Sequence, residues 1–271
     1  MTLTSKGACV INTISSRMKP DMPQALVSLA VKDYPGRLII LGQEASGTKV
    51  IVVYGITGRS PSSQARHMVA RKGGIWVEPT DETILQRGNP DLLIYPAVQF
   101  GHGIAVSNGQ QTADVKKCLP ESGNPIDILE SSLSHWDYEP DEPAFTPRIS
   151  GCVLPNMKAA LSIIRRTKDG TAVRDYFAIE LGPGKGSLIS TYAGQNIDPL
   201  PSFTGTPETV FFTRNTPQEI ARDVYRALGP GKDRTKDFRV SVACVIARPG
   251  DPSPPESAII NRSERIDDEE N

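Results

Sequence analysis

Leu38-Ile39-Ile40-Leu41 and Lys49-Val50-Ile51-Val52-Val53-Tyr54-Gly55-Ile56, linked through Glu44-Ala45-Ser46-Gly47, read as two apolar strands joined by a turn-rich loop. That composition predicts a hairpin. Working outward, strands are expected over 75–78, 92–98, 104–107, 160–166, 172–181 and 187–192. Lys168-Asp169-Gly170 and Asn108-Gly109 supply turn signals, the second of the tight-hairpin type. Two helices are expected. One covers 126–133, with Ile126, Leu129 and Leu133 apolar. The other opens at Thr216 as N-cap, with Pro217 in the first turn and Glu219 at the capping-box position. Its apolar residues Ile220, Val224 and Leu228 recur every fourth position before Gly229 stops it. Phe238, Val240, Val242, Cys244 and Ile246 alternate in a further strand expected to bury one face. Residues 25–31 are apolar enough for a short helix or strand, and no internal repeat is present. Strands outnumber helices and hairpin turns dominate, which gives an α+β class of antiparallel sheets flanked by helices.

The 271 residues carry 30 basic and 31 acidic side chains, a balance that argues against a nucleic-acid partner. Apolar runs are too short to cross a bilayer and no secretory signal pattern opens the chain, so no membrane partner and a cytoplasmic location are expected. Cys9, Cys118, Cys152 and Cys244 lie far apart, with His67, His102 and His135 as the histidines. That inventory argues against a structural metal and a disulfide framework. From Arg248 the chain turns to Pro, Ser and charge, ending in Asp267-Asp268-Glu269-Glu270, so 248–271 is expected to be a disordered tail after one domain over 1–247.

Tyr54-Gly55-Ile56-Thr57-Gly58-Arg59-Ser60-Pro61-Ser62-Ser63-Gln64-Ala65-Arg66 carries the functional signal. A strand that passes into glycines, hydroxyls and two arginines offers backbone N–H groups and guanidinium forks to a phosphate or carboxylate. Gly182-Pro183-Gly184-Lys185-Gly186-Ser187 does not add a second phosphate loop, because Ile179 stands where G-x-x-x-x-G-K-[ST] needs glycine and Gly186 follows the lysine.

Together with Tyr34-Pro35-Gly36-Arg37, Ala105-Val106-Ser107-Asn108-Gly109 and the run from Asp137 to Gly151, this motif resembles the archaeal-type IMP cyclohydrolase family. Residues 1–33 then read as an N-terminal extension. The resemblance implies a four-layer αββα sandwich similar to N-terminal-nucleophile hydrolases, and a purine nucleotide as small-molecule substrate. The implied reaction joins the carboxamide nitrogen of a formamido-imidazole-carboxamide ribotide to its own formyl carbon with loss of water. It requires no redox cofactor and no metal. Assembly into a homo-oligomer is left open.

Catalytic roles are expected of Arg59, which offers a planar fork to phosphate or oxyanion, and of Tyr95, a phenol that can relay a proton. Glu139 and Glu142, in a segment stiffened by Pro140, Pro143 and Pro147, are the candidate proton carriers. Arg37, Tyr54, Ser60, Arg66, Asn108 and Arg148 are the candidate substrate-binding residues. Each has a plainer reading: surface or carboxylate-paired arginines, half-buried packing tyrosines, an asparagine serving turn geometry, a solvated acidic loop. Gln110-Gln111-Thr112 departs from the Ser-His-Thr type run of archaeal members. Two other functions compete: an amide hydrolase using Thr2, Cys9 or Cys152 as N-terminal nucleophile, and a nucleotide-binding protein without catalysis.

Overall fold

The computed structural model describes residues 24–81, 83, 93–120, 122–230, 235–251 and 253–267. β1 (Arg37–Gln43) and β2 (Val50–Thr57) form the expected hairpin, with Ile39 opposite Tyr54 and Leu41 opposite Val52. Every residue of both strands is buried, because the sheet they belong to is covered on both faces. Alternation sorts their side chains: Ile39, Leu41, Val52, Tyr54 and Ile56 enter one apolar cluster, while Leu38, Ile40, Ile51 and Val53 enter another.

The first sheet continues outward with β10 (Lys185–Ser190) and β11 (Glu208–Phe211) on one side and β12 (Arg239–Ala247) and β13 (Glu256–Asn261) on the other. The second sheet runs in chain order: β3 (Arg66–Arg71), β4 (Gly74–Pro79), β5 (Tyr95–Phe100), β6 (Ile104–Ser107), β7 (Arg148–Val153), β8 (Ala159–Arg166) and β9 (Ala172–Ile179). All pairings are antiparallel. Side chains of both sheets share the first cluster, so the sheets pack on each other through Ile39, Tyr54, Val77, Tyr95, Leu161 and Val245.

Helices cover the other faces. On the first sheet, α5 (Pro217–Ala227) buries Ile220, Ala221 and Val224 against Leu38, Val53 and Cys244, beside the short α1 (Val27–Ala30). Each of Ile220 and Val224 contributes roughly 1.5–3 kcal/mol by burial, whereas a hydroxyl N-cap contributes ~1. The apolar stripe therefore sets which face docks, and Thr216, whose Oγ1 accepts from the Glu219 N–H at 3.3 Å, sets where the helix starts. On the second sheet, α3 (Gln111–Lys117) and α4 (Pro125–Leu133) pack Val115, Leu129 and Leu133 on Ala105, Cys152 and Ala160.

Four expectations are corrected. Asn108-Gly109 does not turn a hairpin: β6 runs into α3, and the Asn108 side chain is buried and bonded inward. The strand expected at 92–98 starts at Tyr95 and runs to Phe100, Leu92 lying outside the described residues. β12 buries both faces rather than one, since α5 covers one face of its sheet and the second sheet the other: Val242, Cys244 and Ile246 enter the helix-side cluster and Ala243 and Val245 the inter-sheet cluster, where a register shift between Arg239 and Ser241 also puts Val240. The expected disordered tail contains β13, whose Ala258-Ile259-Ile260 is apolar enough to pack on both clusters, followed by a 3₁₀ turn over Arg262–Asp267. Residues 268–271 lie outside the described residues. β3 also escaped the sequence reading, because its arginines at both ends made it look like a basic loop.

Asn261, at the end of β13, joins the two sheets at their β3 and β13 edges. Its Oδ1 accepts from the Met68 N–H at 2.9 Å and from Ser241 Oγ at 2.6 Å, and its Nδ2 donates to the Met68 carbonyl and to Glu264 at 3.0 Å each. All four hydrogen-bonding positions of the amide are used. Asn261→Ala leaves the buried Met68 N–H and carbonyl without partners, and is expected to lower the unfolding free energy by about 2–3 kcal/mol, read as a fall in the urea midpoint at constant m-value.

Candidate functional site

Arg37 opens β1 in one sheet and Arg66 opens β3 in the other, so the inter-sheet packing brings two guanidinium groups to one cavity. Its volume is about 710 Å³, within the ~300–1,000 Å³ typical of small-molecule sites. The backbone before Arg37 is tightly held. Gly36 has φ +76°, its carbonyl accepts from both the N–H and hydroxyl of Thr57, and a Cβ there would lie 2.2 Å from Thr191 Oγ1. The Arg37 N–H in turn donates to that same Thr191 Oγ1 at 3.1 Å.

Both guanidinium groups are held with unused donors. Arg37 is 9% and Arg66 3% exposed, yet Arg37 Nε and Arg66 Nη2 have no hydrogen-bond partner among the described residues. Arg66 Nε donates to the Ser63 carbonyl at 3.0 Å. A buried N–H without a partner costs ~1–3 kcal/mol, so two cationic examples at one cavity favour an anionic ligand. Burial opposes the charge of Arg37, but Glu139 and the tyrosine hydroxyls around it outweigh burial and hold its pKa well above the usual range. For Arg66, burial and then the neighbouring Arg37 push the pKa down.

Glu139 is the carboxylate these arginines face. It is 3% exposed, and burial pushes its pKa from 4.5 up to about 7 against the opposing pull of Arg37, Arg148 and Arg66. Its loop is fixed by a hydrogen bond from the Glu139 N–H to the Thr146 carbonyl at 2.8 Å. Asn108 Nδ2 donates to Glu139 Oε1 at 3.0 Å and to the Pro147 carbonyl at 2.9 Å, while Asn108 Oδ1 accepts from the Ile149 N–H and from Gln111 Nε2. With all four positions occupied, Asn108 has no capacity for a ligand, and its candidacy as a substrate-binding residue gives way to holding Glu139. Arg148 stands behind the same network: Nη1 donates to Gln111 Oε1, Nε donates to the Asp137 carbonyl, and its guanidinium lies 4.8 Å from the Trp136 ring centre.

The other candidates distribute around the cavity. Arg59, Ser60 and Glu142 line it. Arg59 stands at the half-exposed rim, ion-paired with Asp198 at 3.0 Å, bonded to Asn196 at 3.2 Å and set over the Tyr34 ring at 5.3 Å. Ser60 caps α2 (Pro61–Gln64) by accepting from the Ser63 N–H. Tyr54 and Tyr95 are buried and meet hydroxyl to hydroxyl across the sheets at 2.8 Å. They do not line the cavity, though both act electrostatically on Arg37 and Arg66. Burial and then Tyr95 raise the Tyr54 pKa well above the usual phenol value.

Tyr34, Asp141, Thr146 and Tyr192 also line the cavity and were not singled out by sequence. Tyr34, Asp141 and Thr146 stood within quoted motifs without being given a role. Tyr192, which follows β10, has no local signal, because only the pairing of β10 with β1 brings it here. Of the expected N-terminal nucleophiles, Thr2 and Cys9 lie outside the described residues. Cys152 is buried within β7 and burial pushes its thiol up to about 12, an environment that keeps sulfur protonated. Among the described residues no helix is long and apolar enough to cross a membrane, and no group of three or more His, Cys, Asp or Glu is placed to hold a metal ion.

A family model described as IMP cyclohydrolase-like protein matches residues 34–249. The chain belongs to the IMP cyclohydrolase-like protein family. Among the described residues, every one that lines the cavity, from Tyr34 to Leu200, falls inside the span matched to this IMP cyclohydrolase-like family, whereas β13 and Asn261 fall beyond it. No curated protein matches the chain. Among solved structures, the crystal structure of a Silicibacter pomeroyi protein of the DUF1028 family is 10% identical, with 83% of this chain and 78% of that chain covered and a TM-score of 0.29. At that score the likeness carries no argument.

Proposed function

We propose that this IMP cyclohydrolase-like protein is an IMP cyclohydrolase, closing the second ring of the purine nucleotide in the cytoplasm. The observation that carries the reading is the buried Glu139, its carboxyl raised to about 7, in one cavity of nucleotide size with two arginines that keep unused donors. The carboxamide nitrogen bonds to the formyl carbon, the formyl carbon–oxygen bond breaks, and the oxygen departs as water with two protons in exchange for one from each nitrogen. Neutral amides exchange protons poorly, so a carboxyl titrating near 7 suits both halves of that transfer. Arg66, with the hydroxyls of Ser60, Ser62 and Ser63, grips the 5′-phosphate. Arg37 faces the formyl oxygen and stabilises its developing charge. Arg59 closes the rim, and Tyr54 and Tyr95 support Arg37 from behind. Holding nucleophile and formyl group together supplies several kcal/mol, up to roughly 7–11 in favourable intramolecular cases. The two stacked antiparallel sheets with helices outside them form, in this reading, one four-layer αββα unit similar to N-terminal-nucleophile hydrolases.

Mixing the purified chain with the formamido-imidazole-carboxamide ribotide and following purine absorbance tests the proposal. Acceleration at least ~10³-fold over the spontaneous rate is the expected result, modest beside the ~10⁶ or more of typical enzymes. A rate equal to the spontaneous one defeats it.

A further inference from the structure

The dehydration half of the proposed reaction needs a second proton path. Ring closure takes one proton from the carboxamide nitrogen and one from the formamide nitrogen, and a single carboxyl carries one proton at a time. Tyr95 does not line the cavity, and its hydroxyl is engaged with Tyr54. Tyr34 and Tyr192 are the phenols that line the cavity with Glu139, and of the two it is Tyr192 whose hydroxyl is bonded onward, to Thr146.

Tyr192 heads a chain of hydrogen bonds. Thr146 Oγ1 donates to Asp141 Oδ2 at 2.5 Å, which uses its only hydrogen, so the 2.8 Å contact between Thr146 Oγ1 and Tyr192 Oη is one in which the phenol donates. The hydrogens thus point one way, from phenol to hydroxyl to carboxylate. The Thr146 N–H donates to Asp141 Oδ1 at 2.6 Å and holds the carboxylate in place. All three residues line the cavity; Tyr192 and Thr146 are 2% and 1% exposed, while Asp141 is half-buried and so nearer to solvent.

We propose that Tyr192, Thr146 and Asp141 form a proton relay that removes the formamide proton during dehydration, while Glu139 serves the carboxamide nitrogen and the leaving oxygen. The proposal rests on the cyclohydrolase reading of the site. In the first half, the carbon–nitrogen bond forms and Glu139 passes the carboxamide proton to the formyl oxygen, giving a carbinol. In the second, the formamide nitrogen gives its proton to Tyr192 Oη, Tyr192 passes its own to Thr146 and Thr146 passes its own to Asp141. The carbon–oxygen bond breaks as Glu139, protonated from water, delivers a proton to the departing hydroxyl. One proton enters at Glu139 and one leaves at Asp141, so atoms and charge balance.

Thr146→Val removes the middle hydroxyl with little change of volume and keeps the backbone N–H that holds Asp141; Thr146→Ser keeps the hydroxyl. Thr146→Val is expected to lower kcat by ~100-fold, the lower end for a lost proton-transfer group, with KM within about 2-fold. The solvent deuterium isotope effect on kcat should rise as dehydration becomes limiting, and Thr146→Ser should restore both values to near the parent. Should Thr146→Val fail to fold, Tyr192→Phe carries the same comparison. A parent enzyme that closes the ring while these variants match it in kcat and isotope effect overturns the relay alone. A parent that leaves the ribotide at its spontaneous rate overturns the site reading and the relay with it.

Discussion

Glu139→Gln is expected to slow ring closure by ~10²–10⁴-fold, the range for losing a positioned acid–base group, while changing KM far less. Glutamine keeps the volume and the hydrogen bond from Asn108 Nδ2 but cannot take up a proton. In the parent, kcat/KM should rise with pH through about 7, because the carboxylate must be ionised to accept the carboxamide proton. The variant should lose that rise. Stability should move in the opposite direction. An acid whose pKa is higher in the folded chain than in the unfolded one binds more protons when folded, so its contribution is fully present below 4.5 and is lost as pH climbs to about 7. At about 1.4 kcal/mol for each tenfold, that interval corresponds to about 3 kcal/mol. Urea unfolding of parent and variant across pH 4 to 8 checks this: the gap should shift toward the variant by about that amount. A pH-independent gap with unchanged kcat would remove Glu139 from the proposed chemistry.

Arg66→Met is expected to separate binding from stability. Arg66 is 3% exposed with an unpartnered Nη2, and burial and Arg37 oppose its charge, so the ligand-free fold carries the cost of keeping it ready. Replacing a poorly compensated buried charge with an apolar side chain of similar length is often neutral or stabilising by about 1–4 kcal/mol. The melting temperature of the ligand-free variant should therefore hold or rise. Nucleotide affinity should fall at least ~30-fold, equivalent to about 2 kcal/mol, because the ligand loses a charge-assisted bond and leaves its own anion unpaired. Titration calorimetry with IMP beside a thermal scan reads both quantities. A variant that loses stability and keeps its affinity would make Arg66 a structural residue.

Local sequence reached the hairpin of β1 and β2 and the capped helix α5, since period-two burial and capping hydroxyls operate between near neighbours. It did not reach β13, because three apolar residues within a charged stretch look insufficient until β12 offers a partner edge. Nor did it reach the use of Asn108: a turn and a buried four-bonded amide share the same residue, and only the approach of Glu139 and Gln111 distinguishes them.

By itself the sequence determined that this chain forms antiparallel strands with flanking helices and belongs with IMP cyclohydrolase-like proteins, for propensity, alternation and motif order are properties of adjacent residues. Tertiary structure alone decided which side chains share the cavity. Arg37 and Arg66 open strands of different sheets, and Glu139 and Tyr192 follow different elements, so their meeting depends on the packing of two sheets and on burial that no local pattern records. The same burial moves Glu139 to about 7, since removing water penalises the ionised carboxylate more than its neighbouring arginines restore it.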